Sequence, residues 1–258
     1  MKKATLARSP RPALLFSWAD AISEGEWEIY RRAIHALREA EVPFLLAGGF
    51  ALAAYTGRWR DTKDIDFYIL PQDCDRGAEV LGRAGFEDYF ARLKYDRKWI
   101  YRSVRENIIV DIIWSMANQR AQVDEEWFER AGRVRIRGEE LQVMPVEELC
   151  WCKLYIMQRD HCDWTDLFNL LYAQGEGMDW DHLFERVEDD LPLLRGLLSV
   201  YEWLCPGSSG KFPGEVWERL GLPEPESLPK QERFDPVRLL DSRMWFGADI
   251  NHGEKLEV

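Results

Sequence analysis

Phe44-Leu45-Leu46-Ala47-Gly48-Gly49-Phe50 and, further along, Asp64-Ile65-Asp66-Phe67 decide the fold. The first stretch reads as a short buried strand, a double-glycine turn and the start of a helix. Two glycines at such a turn let backbone N–H groups approach an anion closely, and the helix N-terminus adds a favourable partial charge. In the second stretch, strand alternation sends Ile65, Phe67 and Ile69 to one face and Asp64 and Asp66 to the other. The two carboxylates then project together, about 7 Å apart along the strand. At that range they repel by roughly 2 kcal/mol at an effective dielectric of about 20, and a cation between them reverses the sign. By themselves they also suit an exposed strand end. Asp111 is the sharper clue. It stands alone in Ile108-Ile109-Val110-Asp111-Ile112-Ile113, a run apolar on both faces and therefore central, where an unpaired carboxylate is costly.

Around these landmarks the spacing predicts a helix from Ser23 to about Glu41, opened by a Ser23/Glu26 capping box. A helix over Phe50–Tyr55, a strand over Asp64–Leu70 and a helix over Asp73–Ala84 follow. Strands are expected at Lys98–Ser103 and Asn107–Ile113, then a short helix at Glu125–Ala131. A hairpin of Arg133–Arg137 and Leu141–Met144 completes the sheet. From Pro145 only helical periodicity remains: Val146–Gln158, Trp164–Ala173, Asp181–Val187, Leu193–Leu204 and, more weakly, Gly214–Leu220. The expected class is α+β, a mixed sheet flanked by helices and followed by a small helical bundle. Residues 1–22 are expected to form an N-terminal extension, 23–145 the first domain, 146–206 a helical domain and 207–258 a loop-rich tail.

The chain of 258 residues carries a formal net charge of −12, which argues against broad, sequence-independent binding to nucleic acid. One local basic segment exists, with Arg92, Lys94, Arg97, Lys98, Arg102 and Arg105 against Asp96; the plain expectation is a solvated face of two strands and their turn. Five cysteines without repeated spacing make a poor disulfide framework, and Cys150 and Cys152 diverge on a helix. Reduced thiols suit a cytoplasmic location. Lys2, Lys3 and the run Ala13–Ala19 only faintly mimic a secretion signal, and no stretch approaches a membrane span, so no membrane partner is expected.

Taken together, Ala47-Gly48-Gly49, Asp64-Ile65-Asp66-Phe67 and Asp111 resemble the nucleotidyltransferase superfamily, which includes DNA polymerase beta and the aminoglycoside and lincosamide nucleotidyltransferases. Arg60-Asp61-Thr62-Lys63-Asp64-Ile65-Asp66 is most similar to bacterial members, abortive-infection toxins among them. The likeness extends through Met144-Pro145-Val146-Glu147-Glu148-Leu149, Lys153, Arg159-Asp160 and Asp163–Leu171. It implies a nucleotidyltransferase-like sheet in residues 23–145 that moves an NMP from an NTP to a hydroxyl and releases pyrophosphate. Asp64, Asp66 and Asp111 would be the catalytic residues and would hold two Mg²⁺ ions, with Asp111 placed to take the acceptor's proton. Gly48, Gly49, Arg60, Thr62 and Lys153 would bind the nucleotide; a helix salt bridge to Glu148 or Asp160 is the other role open to Lys153. The acceptor would be a small molecule, a protein hydroxyl or an RNA end such as that of tRNA, and toxin-like relatives would bring an antitoxin partner.

Two other functions compete. A non-catalytic nucleotide-binding or toxin–antitoxin module could wear the same fold, and magnesium-dependent nucleotide binding without pyrophosphate release would mark it. A metal-dependent phosphohydrolase lacks its usual histidines here, since His35, His161, His182 and His252 are scattered. Pro206-Gly207-Ser208-Ser209-Gly210-Lys211 lacks the P-loop spacing, with Phe212 where Ser or Thr belongs, and reads as a loop.

Overall fold

The computed structural model describes residues 17–59 and 62–225 together with Leu240. The chain divides into two compact units, one formed by residues up to Ala54 and Trp59–Pro145, the other by Tyr55–Arg58 and the chain from Val146 onward.

The first unit begins with a turn of 3₁₀ helix at Ser17–Ala21 and helix α1, Glu24–Glu39. The Ser23 hydroxyl accepts from the Glu26 N–H, and Glu26 accepts from the Ser23 N–H at 3.1 Å. This reciprocal cap satisfies two donors that the helix itself cannot. Trp27, Ile29, Tyr30, Ala33, Ile34 and Leu37 form the buried stripe of α1. Most of the expected extension 1–22 lies outside the described residues; its described end is packed, with Trp18 buried and stacked on Trp59 at 5.3 Å.

Strand β1 (Leu45–Leu46), helix α2 (Gly48–Thr56), strand β2 (Asp64–Tyr68), helix α3 (Cys74–Arg83) and strands β3 (Glu87–Asp88), β4 (Ile100–Arg105) and β5 (Ile108–Ile113) follow. Helix α4 (Glu125–Glu129) and strands β6 (Gly132–Ile136) and β7 (Glu139–Val143) complete the unit. The seven strands form one mixed sheet in the order β3-β4-β5-β2-β1-β7-β6. Strands β2 and β5 run parallel, as do β1 and β7; the other pairs are antiparallel. Ile65, Phe67, Val110 and Ile112 are fully buried at its centre. Alternation turns Ile112 to the face opposite Asp111, and there it meets Gly77 of α3, so this helix covers the face opposite the aspartates.

Two hairpins set the register by the same device. Glu106 and Asn107, at φ 51° and 68°, form a two-residue turn between β4 and β5; Arg137 and Gly138, at φ 45° and 88°, do the same between β6 and β7. Such turns carry positive φ at both positions because their twist matches that of the strands. β4 therefore starts and ends two residues later than expected. The short β3 is an addition that no periodicity announced.

The second unit is helical: α5 (Val146–Leu154), α6 (Trp164–Gln174), α7 (Trp180–Val187), α8 (Leu191–Leu204), α9 (Pro206–Ser209) and α10 (Gly214–Arg219). Two expectations are corrected here. Helix α5 stops at Leu154 rather than Gln158, because the chain doubles back through a turn in which Gln158 N–H donates to His161 O and Asp163 N–H to Ile156 O. Residues 206–209 are helical rather than loop, and the segment after them is packed: Phe212 stacks on Tyr201 at 5.4 Å, and Val216, Trp217 and Leu220 are buried. All five cysteines are free thiols. Among the described residues no helix is long and apolar enough to cross a membrane.

Candidate active site

The site is assembled on β2, β5 and the β1–α2 turn. The parallel pairing of β2 with β5 sets Asp66 directly beside Asp111, and alternation along β2 returns Asp64 to the same face. The three carboxylates offer oxygens that all lie within 4.8 Å of one another. Asp64 and Asp66 are half-buried, whereas Asp111 is only 1% exposed.

The neighbouring loops shape this cluster. Gly48 sits at φ +55°, and a Cβ built there would stand 1.7 Å from Asp66 Oδ2. The position is glycine for two reasons at once: its backbone conformation, and the carboxylate occupying the space of a side chain. Asp66 also accepts the Ala47 N–H through its backbone oxygen at 3.0 Å, tying strand to turn. Gly49 faces Thr62, whose hydroxyl donates to Asp64 Oδ1 at 2.8 Å.

Asp111 is not the unpartnered carboxylate that its apolar strand suggests. Arg102, opposite it on β4, donates from Nε to Oδ1 at 2.9 Å and to Oδ2 at 3.1 Å, and from Nη2 to Oδ2 at 2.5 Å. Nη2 also stands 3.7 Å from Asp64 Oδ2. Burial pushes the Asp111 carboxyl up to about 6; Arg102 restrains that rise and the charge of Asp64 adds to it. Reciprocally, hydrogen bonding to Asp111 raises the guanidinium of Arg102 above its ordinary value. Arg102 was hidden in the sequence among the six cations of the basic segment. Counting back from a two-residue turn at Glu106-Asn107 puts it opposite Asp111, and that turn is the signal that could have found it. The other arginines of the segment are held locally: Arg97 by Asp88 and the Phe90 ring, Arg92 by Glu87, and Arg105 by the Gly85 carbonyl.

Of the expected site residues, Gly48, Gly49, Thr62, Asp64, Asp66 and Asp111 come together in the first unit. Arg60 lies outside the described residues. Lys153 belongs to the second unit, where its ammonium is buried and donates to Asp163 Oδ2 at 2.5 Å and Asp166 Oδ2 at 2.8 Å. Its partners are therefore neither Glu148 nor Asp160, because the early end of α5 brings the start of α6 back to the lysine. Glu148 is bound instead to His182 at 2.6 Å and Arg186 at 3.3 Å.

The donor set is chemically uniform: three hard carboxylate oxygen donors, with the missing Cβ of Gly48 leaving Asp66 its place. That composition fits a divalent cation of the magnesium type, and Asp64, Asp66 and Asp111 are the residues that could hold it.

Comparison with known proteins places the chain. No curated protein matches the sequence. Among solved structures, the antibiotic-resistance factor ANT(2'')-Ia aligns with a TM-score of 0.41 at 14% identity, covering 70% of this chain and 94% of its own. The lincosamide antibiotic adenylyltransferase LnuA gives 0.41 at 16%, covering 58% and 94%. A putative nucleotidyltransferase from H. pylori gives 0.40 at 20%, covering 70% and 82%. The sequence itself matches the family described as uncharacterised nucleotidyltransferase over residues 27–200, more than half of its length. On that match the chain belongs to the uncharacterised nucleotidyltransferase family.

Proposed function

We propose that this nucleotidyltransferase moves an NMP from an NTP to a hydroxyl acceptor and releases pyrophosphate, with Mg²⁺ as its metal. The observation that carries this reading is the convergence of Asp64, Asp66 and Asp111 on one face of the sheet, beside a glycine turn that a side chain cannot enter.

Asp64 and Asp66 would hold Mg²⁺ together with the triphosphate, and Asp111 would complete with both of them the site of a second ion. Bound there, divalent metal supplies charge neutralisation at the phosphates and at the attacking oxygen. The chain's own groups do the rest. Backbone N–H groups at Gly48-Gly49 would face the triphosphate, with Arg60 as a further contact and Thr62 serving the nucleotide through the Asp64 carboxylate it bonds. Thr62 thereby fixes the rotamer of Asp64. Asp111 takes the proton of the acceptor hydroxyl; that oxygen then bonds to the α-phosphorus as the bond from it to the bridging oxygen breaks and pyrophosphate departs in line.

The acceptor is better read as a small molecule or a protein hydroxyl than as long nucleic acid. The net charge is −12, and the arginines of the basic segment are engaged with local acceptors. To Lys153 we assign a structural role, because its ammonium is buried between two carboxylates.

The test is a thermal-shift panel of the four NTPs with and without Mg²⁺, on wild type and Asp66→Asn, followed by pyrophosphate release with the nucleotide that shifts. A magnesium-dependent shift absent from the variant, with pyrophosphate released on addition of an acceptor, supports transfer. A shift with no pyrophosphate under any acceptor supports the non-catalytic nucleotide-binding module instead. No shift with any nucleotide removes the assignment of the site.

A further inference from the structure

Arg102 closes the carboxylate cluster from the β4 side. Its guanidinium engages both oxygens of Asp111 and stands 3.7 Å from Asp64, so one side chain bridges carboxylates of two different strands. Asp111 is buried, and Arg102 presents three hydrogen bonds to its two oxygens. A second cation arriving there would meet this guanidinium twice, as a competitor for the same oxygens and as a like charge.

The backbone of Arg102 is fixed by the sheet and by Tyr95, whereas its side chain is held by the carboxylates of Asp111 and Asp64. On one side the backbone pairs with Asp111 across β4 and β5. On the other, its N–H donates to the Tyr95 hydroxyl at 2.8 Å, and that hydroxyl donates back to the Arg102 carbonyl at 3.3 Å. The side chain itself is 32% exposed, against 1% for Asp111. A long side chain on a fixed root with one edge open to solvent can exchange partners without moving the sheet.

We propose that Arg102 is the resident counter-ion of this site. It holds Asp111 until a divalent cation takes its place, and so sets how readily metal occupies that carboxylate. This inference rests on assigning Asp64, Asp66 and Asp111 to metal. It makes Arg102 a positioning residue with a defined consequence: metal alone binds weakly, and a nucleotide triphosphate strengthens it by offering the displaced guanidinium a new anionic partner. The coupling is reciprocal, so metal strengthens nucleotide binding by the same factor.

The experiment is calorimetric titration of Mn²⁺ alone into wild type, Arg102→Gln, Arg102→Lys and Asp66→Asn at about pH 8, well above the ordinary carboxylate range. The titration is then repeated with a non-hydrolysable NTP analogue present. Arg102→Gln should bind Mn²⁺ roughly tenfold or more tighter than wild type, the size of a lost charge-assisted hydrogen bond, and its metal–nucleotide coupling should fall. Arg102→Lys keeps a charge beside the buried carboxylate but cannot fork across both oxygens, so it should tighten less. If Arg102→Gln does not fold, the lysine variant carries the test. Mn²⁺ binding as weak as wild type or weaker in the folded variants overturns the counter-ion role, while loss of binding in Asp66→Asn leaves the metal site standing. Absence of Mn²⁺ binding in every protein, wild type included, overturns both.

Discussion

The molecule holds two clusters in which aspartates surround one cation, and they differ in ways that matter. In the second unit Lys153 meets Asp163 and Asp166, with side chains only 6%, 6% and 11% exposed, and His161 reaches Asp163 from outside at 2.9 Å. In the first unit Arg102 meets Asp111 and approaches Asp64, while Asp66 completes the group; Arg102 and Asp64 remain 32% and 31% exposed. The lysine cluster is sealed, and its ammonium fixes the junction of α5 with α6. The arginine cluster has three carboxylates to one guanidinium and an open edge. Surplus negative charge beside solvent is what a binding site needs; a near-balanced, buried group needs nothing further. The contrast supports the proposed reading of one as a structural ion pair and the other as a binding site, although both join aspartates to a single basic side chain.

Four substitutions sharpen or break this contrast. Lys153→Met should destabilise the protein by about 3–5 kcal/mol, because it leaves two buried carboxylates without their cation. Chemical denaturation measures the loss, and the folded protein should keep its Mg²⁺-dependent nucleotide shift. A nucleotide affinity that collapses while the fold survives would show that the lysine serves the triphosphate after all. Asp66→Asn should lose on the order of 10³-fold in transfer, with little change in melting temperature without metal. Pyrophosphate release at wild-type rate in this variant would remove Asp66 from the chemistry.

Gly48→Ala tests the turn. The new Cβ falls on Asp66 Oδ2 and must also adopt φ +55°. The backbone conformation costs about 1–2 kcal/mol, and the displaced carboxylate should abolish the metal-dependent shift. An alanine variant with unaltered metal response would mean that the turn does not position Asp66. Thr62→Ala is the mildest. Loss of one neutral-to-charged hydrogen bond to Asp64, already made within the folded chain, should cost about 1.5 kcal/mol of folding stability, and the freed carboxylate should weaken nucleotide binding by at most about tenfold. Isothermal titration with Mg²⁺ present resolves a change of that size.

Much of this architecture was legible in the sequence because it is local. The Ser23/Glu26 cap, the double glycine and the alternation of Asp64-Ile65-Asp66 each declare themselves within a few residues. Asp111 could be placed on an interior strand from its apolar neighbours alone. What stayed hidden depends on register and on chain reversal. Arg102 was one cation among six until the Glu106-Asn107 turn fixed the count that sets it opposite Asp111. The partners of Lys153 were concealed because the helical spacing of α5 continues in sequence past the point where tertiary contacts end the helix at Leu154. Strand β3 is two residues long, too short for any period to show. The packing after Cys205 escaped notice because Phe212, Val216 and Trp217 sit in a glycine- and proline-rich context.

The Glu106-Asn107 turn has a consequence for how this protein can change. Its two residues act as a ruler that delivers Arg102 to Asp111 by distance from the tip. Strand side chains repeat every second residue, so one inserted residue that shifted the pairing would send Arg102 to the opposite face. A two-residue slip would keep the face but bring Val104 or Ile100 opposite the aspartate instead. The hairpin's length is thereby as much a part of the site as any carboxylate, and lineages that lengthen this turn would have to find the charge balance of Asp111 elsewhere.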